Sequence, residues 1–245
     1  MIESYIYTHN KQMNLKIEIS GDFKKSGSNI WITSDTHYSH AGICRGTTHW
    51  RAQDSEGNFF IPLDAVRDFE TVESMNDSMI QNINNVVKKD DILFHLGDWS
   101  FGGIENVSEL RYKINCKNIH FITGNHDHHI ESNKEGIRRY FSSVNPYMEV
   151  SIKDVQGKSK TTTVKLILCH YPIVSWNNMR KGSYMLHGHQ HLKGDQRFGN
   201  GKRMDVGMCG HPEFRPYSLT EIIDLLKDLE SYELENRVEG LKLIR

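Results

Sequence analysis

Asp91-Ile92-Leu93-Phe94-His95-Leu96-Gly97-Asp98 decides how the rest of the chain is read. An apolar run with little polar alternation reads as a strand buried on both faces, as in a parallel sheet covered by helices. It ends in a turn glycine and a carboxylate. Outward from it, the same design recurs four times. NIWITS (29–34) leads to Asp35-Thr36-His37, and NIHFITG (118–124) to Asn125-His126-Asp127. KLILC (165–169) leads to His170-Tyr171-Pro172, and SYMLHG (183–188) to His189-Gln190-His191. Ligands of α/β sheets gather beyond the carboxyl ends of strands, so five such ends predict one shared site.

Helical patterns separate several of these strands. Within 64–87, Phe69, Val72, Met75, Met79, Ile80, Ile83, Val86 and Val87 recur three or four apart and form one apolar face. Segments 104–115 and 133–141 read as shorter helices. At 218–230, Ser218 and Glu221 form a capping box before an apolar face of Leu219, Ile222, Ile223, Leu226 and Leu229. Alternating strands and helices imply an α/β fold with much parallel sheet. Segment 147–168 reads as a hairpin with a Gly-Lys-Ser turn, and 192–208 as a second hairpin. Two packed sheets would accommodate both.

The chain has 245 residues, 37% hydrophobic and 25% charged, with a formal net charge of −1. These values suit one folded domain and argue against binding polyanions by bulk electrostatics. Cys44, Cys116, Cys169 and Cys209 are spread apart with no C-x-x-C pair, which reads as a reduced, cytoplasmic protein. No signal peptide or membrane span is evident. Histidine, at 14 residues, is the outlier, and most lie in tight groups beside Asp and Asn. That combination points to metal.

The five strand ends supply two carboxylates, one amide and four imidazoles. A nitrogen and oxygen set without thiolate suits Mn, Fe, Zn or Ni better than Ca or Mg. Seven donors exceed what one catalytic ion can use while keeping an open position, so they fit two ions sharing a carboxylate.

D-x-H, G-D, G-N-H-D, H and G-H-x-H, in that order from Trp31 to His191, resemble the calcineurin-like metallophosphoesterase superfamily. The tail 204–222 is similar to the closing strand and helix of its small bacterial and phage members. The resemblance implies two packed mixed β-sheets flanked by helices, in a four-layer α/β/β/α sandwich. It implies one domain, with extensions at 1–28 (an edge strand) and 231–245 around a core at 29–230. It implies Asp35, His37 and His191 on one metal, Asn125, His170 and His189 on the other, and Asp98 between them. His126 would be the non-ligand general acid or phosphate stabiliser, oriented or tuned by Asp127. The implied reaction is attack on a phosphodiester or phosphomonoester by a hydroxide bridging two divalent ions, Mn²⁺ first. A nuclease or a 2′,3′-cyclic nucleotide phosphodiesterase is the alternative, acting on a nucleotide or short nucleic acid. A scaffold that keeps the fold without the reaction is a third reading.

Other residues carry two readings each. His95 and His187 lie on strands as core residues or supports behind the ligands. His120 sits on the strand before Asn125. His40 follows D-x-H as a support or a substrate contact. His128, His129 and His211 read as surface. The long segment 44–63 either lines the cleft through Arg45, His49, Trp50 and Arg51 or forms a surface flap. Lys193, Arg197, Lys202 and Arg203 form either a basic rim or a solvated tip. Tyr171, Trp176 and Tyr184 form either a cleft wall or core.

Overall fold

A computed structural model describes residues 8–10, 14–20, 29–44, 52–53, 55–60, 67–156 and 160–230. Two sheets pack face to face. The first is built from β1 (Thr8–Asn10), β2 (Asn14–Ser20), β9 (Tyr147–Gln156), β10 (Lys160–Cys169), β11 (Tyr184–His187) and β12 (Arg203–Asp205), in that spatial order. The second has the order β13 (Tyr217–Ser218), β3 (Ile30–Thr33), β6 (Ile92–His95), β7 (Asn118–Ile122) and β8 (Ser143–Asn145). A two-stranded ribbon, β4 (Ala52–Gln53) and β5 (Phe59–Phe60), stands apart.

The second sheet is parallel from β3 through β8, and β6 is buried at every position, as its unbroken apolar run requires. One face of this sheet (Ile30, Ile32, Ile92, Phe94) meets Val150, Ile152, Leu166 and Leu168 of the first sheet in the main core. The other face, with Leu93, Ile119 and Phe121, lies under α1 (Val72–Val86) and α2 (Ile104–Lys113) through Met79, Ile83, Val107 and Leu110. Burying each such side chain fully stabilises the fold by about 1.5–3 kcal/mol. The capping box at Ser218 and Glu221 forms as read and starts α4 (Leu219–Leu226), whose Leu219, Ile222 and Leu226 close the inter-sheet core. The short α3 (His128–Glu131) follows the G-N-H-D element. Over the outer face of the first sheet lie Ile173, Trp176 and Met179, from a loop with one 3-10 turn. The α/β sandwich is therefore as expected, with the α-helices of the described residues over the second sheet and beside the inter-sheet core.

The hairpin at 147–168 is present as β9 and β10, antiparallel along their whole length. The second hairpin is corrected. Only Phe198 and Met204 bridge antiparallel, and β12 instead runs parallel to β11. Residues 133–141 are 3-10 turns and not a helix, because Asn133, Glu135 and Gly136 take positive φ. At the N-terminus β1 occupies the sheet edge and β2 pairs parallel with β9. Segment 231–245 lies outside the described residues. Among the described residues no helix is long and apolar enough to cross a membrane.

This topology aligns the carboxyl ends of β3, β6 and β7 as parallel neighbours in one sheet and those of β10 and β11 in the other. The loops beyond these ends are stitched together. Asp35 N–H donates to Gly97 O (2.9 Å), His37 N–H to Asp98 O (2.9 Å), and Gly188 N–H to His170 O (2.9 Å).

Candidate metal centre

The seven donors meet at this junction. Asp35, His37 and His191 offer ligand atoms within 4.8 Å of one another, and Asp98, His170 and His189 form a second such group. Asn125 joins the second, its Oδ1 lying 2.9 Å from both His170 Nε2 and His189 Nδ1. Asp98 faces both groups, with Oδ2 3.4 Å from His37 Nε2 and 3.5 Å from His170 Nε2. Its other oxygen accepts His126 N–H at 2.9 Å.

The arrangement suits cations. His170 Nδ1 lies 2.8 Å from the Leu96 carbonyl, which can only accept, so Nδ1 is the donor. Burial holds this ring below the usual histidine range, despite the opposing Asp98 charge and the Leu96 hydrogen bond. The ring is therefore neutral, and its remaining Nε2 lone pair confronts Asn125 Oδ1 and Asp98 Oδ2. Three acceptors facing one another is an arrangement that a metal ion resolves. The other group is similar. Burial drives His37 well below its ordinary pKa, with Arg67 adding to the effect, and its Nε2 lies 3.1 Å from His191 Nε2. Burial pushes Asp35 up to about 8, His191 opposing and the Asp205 and Asp98 charges adding. A divalent cation would relieve the cost of such buried carboxylates.

The backbone is strained here. Five of the ten non-glycine residues with positive φ among the described residues are proposed ligands: Asp35, His37, Asp98, His189 and His191. Such strain collects where function requires a geometry the surroundings impose. Gly188 shows how tight the junction is, since a Cβ there would fall on Ser34 Oγ and the Asp35 carboxylate. Asn125 and His189 are exposed while Asp35, Asp98 and His170 are buried, so the centre opens to solvent on one side.

Asp127 makes no orienting hydrogen bond to the His126 ring. Its carboxylate accepts N–H groups from Asp98 (2.7 Å), Gly124 (2.7 Å) and Trp99 (2.9 Å), and does not touch the His126 ring. It ties the two ligand loops together. The His126 ring lies 5.4 Å from that of His37 and 5.3 Å from that of Phe101, and makes no hydrogen bond among the described residues. His40 Nδ1 sits 3.3 Å from His37 Nδ1 and supports that ring from behind. His95, buried, pairs with Thr36 Oγ1 at 2.9 Å, and buried His187 with Gly188 O at 2.9 Å, so both are supports. His120 is buried on β7, its Nδ1 2.8 Å from Ser143 Oγ.

Other expectations fare unevenly. His211 is buried, its ring against Tyr217 and its Nε2 3.9 Å from Glu221, so it is not a surface residue. His128 is exposed and His129 half-buried. Arg197 donates to Gly210 O and Tyr217, Arg203 to Ile173 O, and Lys202 to Lys227 O, so these three partly exposed residues also brace the fold. Lys193 is half-buried. Trp176 is core and Tyr184 packs against core, whereas exposed Tyr171 lies edge-on to His170 and His189. Arg45, His49, Trp50 and Arg51 lie outside the described residues.

Three residues escaped the sequence reading. Arg67 is buried and donates to the carbonyls of Asp35 and Thr36, clamping the D-x-H loop from behind. Asp205, also buried, accepts the N–H groups of Gly207 (2.8 Å) and Leu192 (3.3 Å) beside the G-H-x-H loop. Arg67 has no local signal, because it acts on main chain distant in sequence, and Asp205 reads as one more strand residue. Phe101 had a signal: an aromatic residue in a loop, three positions after Asp98 and before Gly102-Gly103.

Two parallel-sheet edges that converge on paired clusters of His, Asp and Asn define an α/β sandwich with two groups of candidate metal ligands. The chain belongs to the calcineurin-like phosphoesterase family, whose model matches residues 28–211. It is 29% identical over 203 residues to an uncharacterized protein of Methanocaldococcus jannaschii, covering 81% of this chain and 91% of that one. It is 24% identical over 221 residues to the Gene 66 protein of Mycobacterium phage D29, covering 83% and 98%. A crystal structure of a protein of unknown function from Aquifex aeolicus shares the fold at a TM-score of 0.50 and 21% identity, covering 80% of this chain and 98% of that one.

Proposed function

We propose that this protein hydrolyses phosphate esters, diesters or monoesters, in a centre that holds two divalent transition-metal ions, Mn²⁺ first among them. The position of Asp98 carries the reading: one buried carboxylate oxygen lies within 3.5 Å of a histidine from each cluster. Asp35, His37 and His191 would hold one ion, Asn125, His170 and His189 the other, and Asp98 would reach both. Such a pair supplies Lewis-acid charge, which acidifies water and neutralises phosphate oxygens.

The chain's own residues do the rest. The strained, stitched loops hold the donors in place before anything binds, so little reorganisation accompanies reaction. His126 presents a ring with no hydrogen bond among the described residues, beside His37. It would deliver a proton to the departing oxygen or steady charge on the phosphate. Four unbridged cysteines support a reducing, cytoplasmic setting.

The test combines metal analysis with turnover. Purified protein should retain about two ions per chain and hydrolyse bis-p-nitrophenyl or p-nitrophenyl phosphate with Mn²⁺. His126→Ala should keep the metal and lose turnover, and Asp98→Asn should lose both. Full metal with no turnover of these esters, cyclic nucleotides or short oligonucleotides would make the protein a binding scaffold instead.

A further inference from the structure

We infer that Phe101 is a stacking platform beside the metal centre and that the esters this site takes carry a planar ring, as a nucleoside does. The inference rests on the phosphoesterase reading and names its substrate class. Phe101 is 38% exposed, so its ring is open to a partner on the solvent side. One face is already covered. The His40 ring stacks on it at 3.8 Å, with 6° between the planes. His40 in turn sits against His37, so the platform is anchored to the metal centre.

The platform is also rigid. Phe101 N–H donates to Tyr38 O at 2.8 Å, and Phe101 O accepts Asn106 Nδ2 at 2.7 Å. Tyr38 and Ser100 bridge in parallel alongside. A ring fixed at both main-chain groups loses little freedom when a second ring lies on it.

Its place says which part of the ester it meets. The ring of His126, the residue suited to serve the departing oxygen, lies 5.3 Å from that of Phe101 and 5.4 Å from that of His37. A group leaving past His126 would pass over Phe101. Every nucleobase has a π-face, so such a platform favours bases without choosing among them.

The test compares adenosine 5′-phosphate with ribose 5-phosphate, and their methyl diesters, which share a leaving oxygen and differ by the base. Calorimetric binding to Mn²⁺-loaded protein and steady-state turnover are both measured. Wild type should bind the adenosine compounds about 10-fold more tightly, with the preference in KM and not in kcat. Phe101→Ala should bring the ratio towards one, and Phe101→Trp should restore it. Equal binding of both members of each pair by wild type overturns the inference. So does a loss in Phe101→Ala that falls equally on both, since that would mark Phe101 as a prop for His40. Failure of the phosphoesterase reading would show differently, as turnover of no ester whatever the binding ratio.

Discussion

Replacing Asp127 by Asn tests whether this carboxylate acts on the loops or on the His126 ring. Asp127 Oδ2 accepts two N–H groups, from Asp98 and Gly124, both at 2.7 Å, and Oδ1 accepts Trp99 N–H at 2.9 Å. An asparagine can keep its oxygen where two donors converge. Its NH₂ then points at Trp99 N–H, one bond is lost and two donors confront each other. A buried donor left unpaired costs about 1–3 kcal/mol. The two surviving bonds fall from charge-assisted to neutral strength, roughly half. The variant should therefore lose about 2–4 kcal/mol. For a domain of this size that is a fall in Tm of roughly 5–15 °C, within what a typical domain survives. Metal retention should fall in parallel, because Asp98 is a proposed ligand and Gly124 precedes one. Circular dichroism melts and elemental analysis read both quantities. A variant that melts with wild type and keeps its metal, yet has a displaced pH–rate profile, would show that Asp127 acts on His126 and that the loop-tying argument is wrong.

Three other parts of the structure carry expected outcomes of their own. Gly188→Ala should cost at least one metal ion per chain, because the methyl falls on Ser34 and Asp35; Gly182→Ala, with open space around its Cβ but a φ of +80° that strains alanine, should lower Tm and yet keep the full metal complement. Burial raises the Glu221 pKa, but the nearby His211 ring and hydrogen bonds from Arg215 and the Ser218 N–H outweigh it and hold the carboxyl well below the usual range, so its stabilisation is present above about pH 4.3 and fades as pH falls below that. The Tm deficit of Glu221→Gln should accordingly be full at pH 7 and shrink below about pH 4; a deficit that stays level across that range would contradict the assignment. Chelation should lower the Tm of wild type, since a ligand at 100 times its Kd contributes about 2.7 kcal/mol, and should leave that of Asp98→Asn nearly unchanged.

Much of the site was legible because sheet geometry converts sequence order into spatial order. A buried parallel strand needs an apolar run, and the residue that ends the run must lie at the carboxyl edge. Five runs therefore placed Asp35, Asp98, Asn125, His170 and His189 together on the strength of order alone. The features that escaped depend on loop conformation. The resemblance pairs Asp127 with His126, but its oxygens turn toward Asp98, Trp99 and Gly124. Positive φ at Asp35, His37, Asp98, His189 and His191 carries no glycine to announce it. The stretch 192–208 reads as a hairpin, yet β12 continues the parallel edge beyond β11.

Arg67 shows how charge closes the design. It is buried, and its donors go to the carbonyls of Asp35 and Thr36, to Cys209 Sγ and to Met75 Sδ, so among the described residues no carboxylate neutralises it directly. A buried cation held only by neutral acceptors is costly unless the wider surroundings are acidic. Here they are: Asp35, Asp98, Asp127 and Asp205 are all buried around the same junction. Behind the proposed ligands, this cation fixes the main chain of the D-x-H loop and adds to the burial that depresses the pKa of His37, keeping that ring unprotonated, as binding a metal would require.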